Sequence, residues 1–137
     1  MTGFDRALLA LGALAGLLGV AASAAAAHIP GADSLKTAAQ FLLFHAPAII
    51  ALVALTATGI THRLTTRVAA AALVIGLALF SGDLSLRALK GIPLFPMAAP
   101  TGGVILMAGW LVAALAAFVP SRTRQGPLGQ HTPAIRS

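Results

Sequence analysis

The sequence predicts an all-α, polytopic membrane protein whose four transmembrane helices form an antiparallel bundle. Of its 137 residues, 58% are hydrophobic and 9% are charged, whereas soluble domains average about 25% charged residues. A soluble domain of this length has too little interior to bury so much apolar surface. Charged residues divide the chain into four apolar segments, each close to the roughly 20 residues that a spanning helix requires.

The four helices are assigned to the intervals between charged residues, since charges are rare inside membrane-spanning segments. These intervals place the helices at about 7–27, 37–61, 68–86 and 97–119. The last helix starts after Pro96 and stops before Pro120, because proline interrupts a helix. Residues 1–120 are therefore expected to form one transmembrane domain. Residues 121–137 contain few apolar side chains and are expected to form a disordered tail.

The distribution of Lys and Arg predicts that both termini are cytoplasmic, since these residues concentrate in cytoplasmic segments. Four spans put the N-terminus, the connection between helices two and three, and the tail on one side of the membrane. That side carries Arg6, Arg63, Arg67, Arg122, Arg124 and Arg136. The opposite side carries only Lys36, Arg87 and Lys90.

An alternative interpretation of residues 1–27 is a cleaved signal peptide. Arg6 is followed by an apolar run and then by Ala-Ser-Ala at 22–24, which resembles a cleavage site. The apolar run is longer than the hydrophobic region of an ordinary signal peptide, which favours a retained helix. The mass of the mature chain distinguishes the two interpretations.

Small residues are expected to form the surfaces through which the helices pack, since lipid provides no hydrophobic drive for helix association. Four of them, spaced by four, three and four positions, share one face of helix one: Gly12, Gly16, Gly19 and Ser23. This face fits a neighbouring helix of the same chain or, alternatively, a homodimer of the GxxxG kind. Gly102 and Gly103 open helix four and are expected to allow close packing there.

One acidic residue is predicted to lie inside the membrane. Asp83 precedes Arg87 by four positions, a spacing that favours an ion pair on a helix. One interpretation is that Arg87 extends to the interface and neutralises the carboxylate. The other is that Asp83 is a proton or cation site, about 6 Å deeper than Arg87.

Two histidines are placed in the same half of the bundle as Asp83. His45 lies about 13 Å deep, measured from Lys36, and His28 ends helix one. Imidazole and carboxylate groups can bind a metal or haem, but these three have no diagnostic spacing. Hydrogen bonding within the bundle is the alternative. The chain has no cysteine, which excludes thiolate sites and disulfides. No cofactor, metal site or catalytic residue is therefore predicted.

Four blocks of sequence carry a family resemblance that extends from about Leu8 to Trp110. They read LLALGALAGLLGVAASAAAAHIP, LKTAAQFLLFHAPAIIALVAL, GLALFSGDLSLRAL and PTGGVILMAGW. The chain resembles the small membrane proteins known as domain of unknown function 423, whose animal relative is transmembrane protein 256. The resemblance implies an intact first helix, four spans and a bacterial inner-membrane location.

The resemblance also marks individual positions, although the family carries no established activity. The positions that match its motifs are His28, His45, Ser81, Gly82, Pro100, Gly102, Gly103 and Trp110. The chain departs from the family pattern at Ala27 and Ile29, where glycines are usual, and at Asp83, where a small neutral residue is usual. It also has Ala99 and Pro100 where Thr-Pro usually precedes the paired glycines.

The sequence favours a non-enzymatic membrane protein, an accessory or assembly subunit or a scaffold that acts through helix contacts. It contains no nucleotide loop, catalytic triad or metal motif, and its connections are short. The expected partners are the lipid bilayer and other membrane proteins or a second copy. Nucleic acid is not expected, because the basic residues are scattered. The alternative is a small oligomeric transporter or a proton or ion pathway that uses Asp83 and His45.

Overall fold

The computed structural model describes residues 1–119, which form four helices and no strand. They are α1 (Gly3–His28), α2 (Asp33–Thr58), α3 (Arg63–Lys90) and α4 (Ala98–Ala116). Each is long and apolar enough to cross a bilayer, so the protein is a multi-pass membrane protein of the all-α class, as predicted. The predicted disordered tail, 121–137, lies outside the described residues.

Backbone chemistry sets the helix ends, which differ from the charge-free intervals by a few residues. At the start of α1, Thr2 and Asp5 exchange side-chain and backbone hydrogen bonds in a capping box. Helix α2 stops at Thr58 because Gly59 adopts a left-handed conformation with φ of 72°. Helix α3 takes in the basic residues at both of its ends, where long side chains can reach the membrane interface.

Each helix packs mainly on the helix that follows it in the chain. Helix α1 packs on α2, α2 on α3 and α3 on α4, whereas α1 and α3 touch at few positions. The short connections make neighbours antiparallel, which is the predicted arrangement. All four helices contribute to the core, which lies around Ile49, Leu73, Leu77 and Leu106.

Glycines allow the backbones of α3 and α4 to come into direct contact. A Cβ atom added to Gly102 would lie 2.6 Å from the backbone nitrogen of Phe80 and 2.7 Å from the carbonyl oxygen of Gly76. A Cβ atom at Gly76 would in turn lie 2.8 Å from the carbonyl oxygen of Gly102. Gly103 is less constrained, because a Cβ atom there would come no closer than 3.9 Å to another residue, the Phe80 ring. The close approach therefore depends on Gly76 and Gly102.

The small residues of α1 face α2 over most of its length. A Cβ atom at Gly19 would lie 2.9 Å from the Leu43 side chain, and one at Gly12 would lie 3.1 Å from Ile49. Gly16 lies against Ala46 with more room. Ser23, which was expected to continue this face, is exposed instead. The α1 face thus packs within the chain as far as Gly19.

Candidate functional site: three buried polar clusters

The first cluster joins the end of α3 to the connection that follows it. The Asp83 side chain is fully buried, and Arg87 donates to its Oδ2 atom from Nε at 2.7 Å. The backbone N–H of Leu94 donates to Oδ1, also at 2.7 Å. We call these three residues the Asp83 cluster.

Both oxygens of the Asp83 carboxylate are thus engaged within the chain. Arg87 is about half-exposed, which fits a side chain that extends from the buried carboxylate towards the interface. The bond from Leu94 ties the α3–α4 connection down to α3. Asp83 therefore holds α3 and the connection together. Loss of either partner would destabilise the fold, because an unpaired buried carboxylate is unfavourable.

The second cluster links α2 to α4 through an imidazole. His45 is buried; its Nδ1 lies 2.8 Å from the carbonyl oxygen of Phe41, and its Nε2 lies 3.2 Å from Nε1 of Trp110. An indole N–H can only donate, so Nε2 of His45 accepts. Nδ1 therefore carries the proton and donates to the Phe41 carbonyl. We call these three residues the His45 cluster. Neither imidazole nitrogen of His45 is left for a metal ion.

An apolar groove lies beside the His45 cluster, between α2 and α4 and over α3. Its volume is about 570 Å³. The rings of Phe41 and Phe80 are 4.4 Å apart at its base, and Trp110 forms one end. We call this the α2–α4 groove. Its lining is almost entirely apolar, which suits contact with lipid or with another apolar helix surface.

The third cluster holds α1 against α3 at the opposite end of the bundle. The buried carboxylate of Asp5 accepts from Arg67 twice, from Nε at 2.7 Å and from Nη2 at 2.8 Å. Arg63 contributes a longer bond of 3.3 Å, and the backbone N–H of Thr2 donates at 2.8 Å. We call these four residues the Asp5 cluster.

Asp5 is not among the site residues predicted from the sequence. Its partners Arg63 and Arg67 lie 58 and 62 positions away, so no local pattern reveals them. One signal was available, since Thr2 and Asp5 have the spacing of a capping box. A carboxylate at the edge of an apolar segment also needs a basic partner. Arg63 and Arg67 of α3 are those basic partners.

Of the predicted polar residues, the structure brings together Asp83 and Arg87 but not the two histidines. His28 is exposed at the end of α1, and no bond joins His45 to Asp83 within residues 1–119. The same residues contain no group of three His, Cys, Asp or Glu side chains that could hold a metal ion. The polar residues form separate clusters that each connect two parts of the fold.

Several positions that match the family motifs lie at contacts between helices. Ser81 is buried and donates to the carbonyl oxygen of Ala38, which links α3 to α2. His45 and Trp110 link α2 to α4, and Gly102 lies against the α3 backbone. Gly82 differs, since a Cβ atom there would meet nothing within 4 Å.

The comparison with family models supports the resemblance. The model of the family described as "Protein of unknown function (DUF423)" matches residues 21–103, more than half of the chain. The match extends from the last part of α1 to the first turns of α4 and takes in His45 and Asp83. No solved structure matches the chain.

Proposed function

The chain belongs to the DUF423 family of proteins of unknown function, and on that premise we propose that it is a non-enzymatic membrane protein. It acts as an accessory or assembly subunit, or as a scaffold, through contacts between its helices and those of another membrane protein. Its location is the bacterial inner membrane.

The observation that carries this proposal is the complete pairing of the buried polar groups. Within residues 1–119, every buried side-chain nitrogen or oxygen atom has a hydrogen-bond partner in the chain. Asp83, His45 and Asp5 each make their bonds to neighbouring helices or connections. A catalytic or transport site needs polar groups that can engage a substrate. The buried polar groups here stabilise the fold.

The surface available for a partner is apolar. On α4, Val104, Met107 and Leu111 are spaced by three and four positions and are each about 60% exposed or more. This stripe borders the α2–α4 groove, which Val104 and Met107 also line. A transmembrane helix of another protein would pack here by van der Waals contact, which is the main source of helix association in lipid.

A proton or ion pathway through Asp83 and His45 is the alternative function. Both side chains are buried, which is common for groups on such pathways. However, each is bonded within a different cluster. This separation favours the subunit or scaffold role.

Both termini are proposed to be cytoplasmic. Arg6, Arg63 and Arg67 lie at the end of the bundle that carries the N-terminus, and the opposite end carries Lys36, Arg87 and Lys90. These two sets are equal in number. The three further arginines of residues 121–137 therefore decide the prediction, since the side with more basic residues is normally cytoplasmic.

Site-specific photo-crosslinking in cells tests the subunit role. A photoreactive residue at Met107, beside the α2–α4 groove, should form one discrete adduct with another membrane protein. The same residue at Leu17, which is equally exposed on α1 but lies away from the α2–α4 groove, is the matched control. Crosslinks to lipid alone from both positions would contradict the proposal.

A further inference from the structure

A second groove runs between α1 and α3, with α2 as its floor. It consists of two cavities of about 560 and 160 Å³. Both are lined by Leu18, Leu42, Leu77 and Ala78, so they are continuous. We call this the α1–α3 groove. It exists because α1 and α3 both pack on α2 but touch each other at few positions.

The Asp5 cluster lies beyond one end of the α1–α3 groove. Asp5 belongs to α1 and its two arginine partners belong to α3, so the ion pairs bridge the same two helices that form the groove walls. Along α3, Val74 lies seven residues after Arg67, which places both on one face and about 10 Å apart. Val74 lines the groove at its near end. Leu8 and Ala70 are buried between the two, so the charged cluster lies on the same side of the molecule as the groove but does not open into it.

The charged end is basic overall. One carboxylate, Asp5, faces two guanidinium groups, and the exposed Arg6 adds a further positive charge. Within residues 1–119, Arg63 donates to Asp5 from one nitrogen only, and its side chain is about half-exposed. A guanidinium group has five N–H donors. Donors therefore remain at the interface for an anion, while Asp5 holds the two side chains in place.

We propose that this end of the molecule binds an anionic phospholipid, with the headgroup phosphate at Arg63 and an acyl chain in the α1–α3 groove. Arginine pairs well with phosphate because its planar fork donates two parallel hydrogen bonds. The depth supports the same ligand, since the phosphate would sit at the level of the helix ends and the acyl chain below it. The proposal is independent of the subunit or scaffold role.

Native mass spectrometry of the full chain tests the proposal. The protein is released from nanodiscs of phosphatidylcholine that contain a minor fraction of phosphatidylglycerol of matched chain length. Phosphatidylglycerol should be retained in preference to phosphatidylcholine. Equal retention of the two lipids would overturn the proposal. Inorganic phosphate is added as a competitor, and displacement of the lipid by free phosphate at physiological concentration would overturn the lipid assignment.

Two substitutions separate the headgroup contact from the acyl-chain contact. Arg63→Gln should weaken phosphatidylglycerol retention about fivefold, the effect expected for one basic residue at an anionic surface. Its control is Lys36→Gln, an exposed basic residue at the opposite end of the bundle, which should change nothing. Arg63 makes one long bond to Asp5, so its loss leaves the bidentate pair of Arg67 to preserve the fold.

Ala78→Phe should also reduce retention, because the added ring fills the part of the α1–α3 groove that the two cavities share. Ile75→Phe, on an exposed face of α3 that lines none of these cavities, should bind lipid as the unmodified protein does. Unchanged retention in either Arg63→Gln or Ala78→Phe would overturn the two-part site.

Discussion

Trp110 donates its indole N–H to Nε2 of His45 across 3.2 Å, and this bond links α4 to α2. The two helices are not neighbours in the chain, and α4 otherwise packs mainly on α3. The two aromatic groups meet edge to face, with ring centroids 6.0 Å apart. The His45 cluster therefore fixes the width of the α2–α4 groove at one end.

Trp110→Phe should lower the free energy of unfolding by about 0.6 kcal/mol, the average for a hydrogen bond between membrane helices. Phenylalanine keeps a smaller aromatic ring and loses the N–H donor, so a double-mutant cycle is needed to separate the bond from the lost packing. Unfolding in mixed micelles measures the effect, and Phe44→Leu at an exposed position is the control. If a double-mutant cycle with His45→Phe gave no coupling, the bond would not contribute to stability.

Asp83→Asn should lower the thermal stability of the protein in detergent. The amide keeps the size of the carboxylate but loses the charged bond to Arg87 and one acceptor oxygen. Asp33→Asn is the matched control, because the side chain of Asp33 is 89% exposed and its ion pair with Lys36 is of the weak surface kind. Equal stability of the two variants would show that the Asp83 cluster does not hold the α3–α4 connection.

Gly102→Ala should lower the free energy of unfolding by about 1–3 kcal/mol, as overpacking does in well-packed interiors. The added methyl group would meet the backbone of α3 at 2.6 Å, and the helices would have to separate. Gly82→Ala is the matched control, since nothing lies within 4 Å of its Cβ position. That variant should be as stable as the parent or slightly more stable, because alanine favours a helix over glycine. Similar losses at both sites would contradict the close contact of α3 and α4.

Single cysteines test the topology in a chain that has no cysteine of its own. Ile92→Cys, in the exposed α3–α4 connection, should react with a membrane-impermeant maleimide in cells whose outer membrane is permeable. Ile60→Cys, exposed between α2 and α3, should react only after the inner membrane is disrupted. The reverse pattern would place both termini outside the cytoplasm.

Hydropathy was sufficient to predict the fold class, because a bilayer requires long apolar helices and these dominate the composition. The four-residue spacing of Asp83 and Arg87 also predicted a contact that the structure shows at 2.7 Å. Glycine spacing indicated the α1 face, although it did not predict that Ser23 is exposed. These features depend on residues close together in the chain.

The remaining contacts depend on residues far apart in the chain, and no local pattern contains them. His45 and Trp110 are 65 positions apart, and Asp5 and Arg67 are 62 apart. Gly76 was not singled out, because its role appears only when Gly102 of another helix lies against it. The backbone bond from Leu94 to Asp83 likewise depends on how the α3–α4 connection folds back.

The most direct test of the proposed subunit or scaffold role is quantitative mass spectrometry of the proteins that co-purify with the tagged chain. The chain is expressed at its native level and extracted in a mild detergent. The variant Met107→Trp is purified in parallel, because it places a bulky side chain on the exposed stripe of α4 where the partner is proposed to pack. We expect one membrane protein in near-stoichiometric amount with the parent chain and much less of it with the variant. Recovery of the chain with lipid alone would contradict the proposed role.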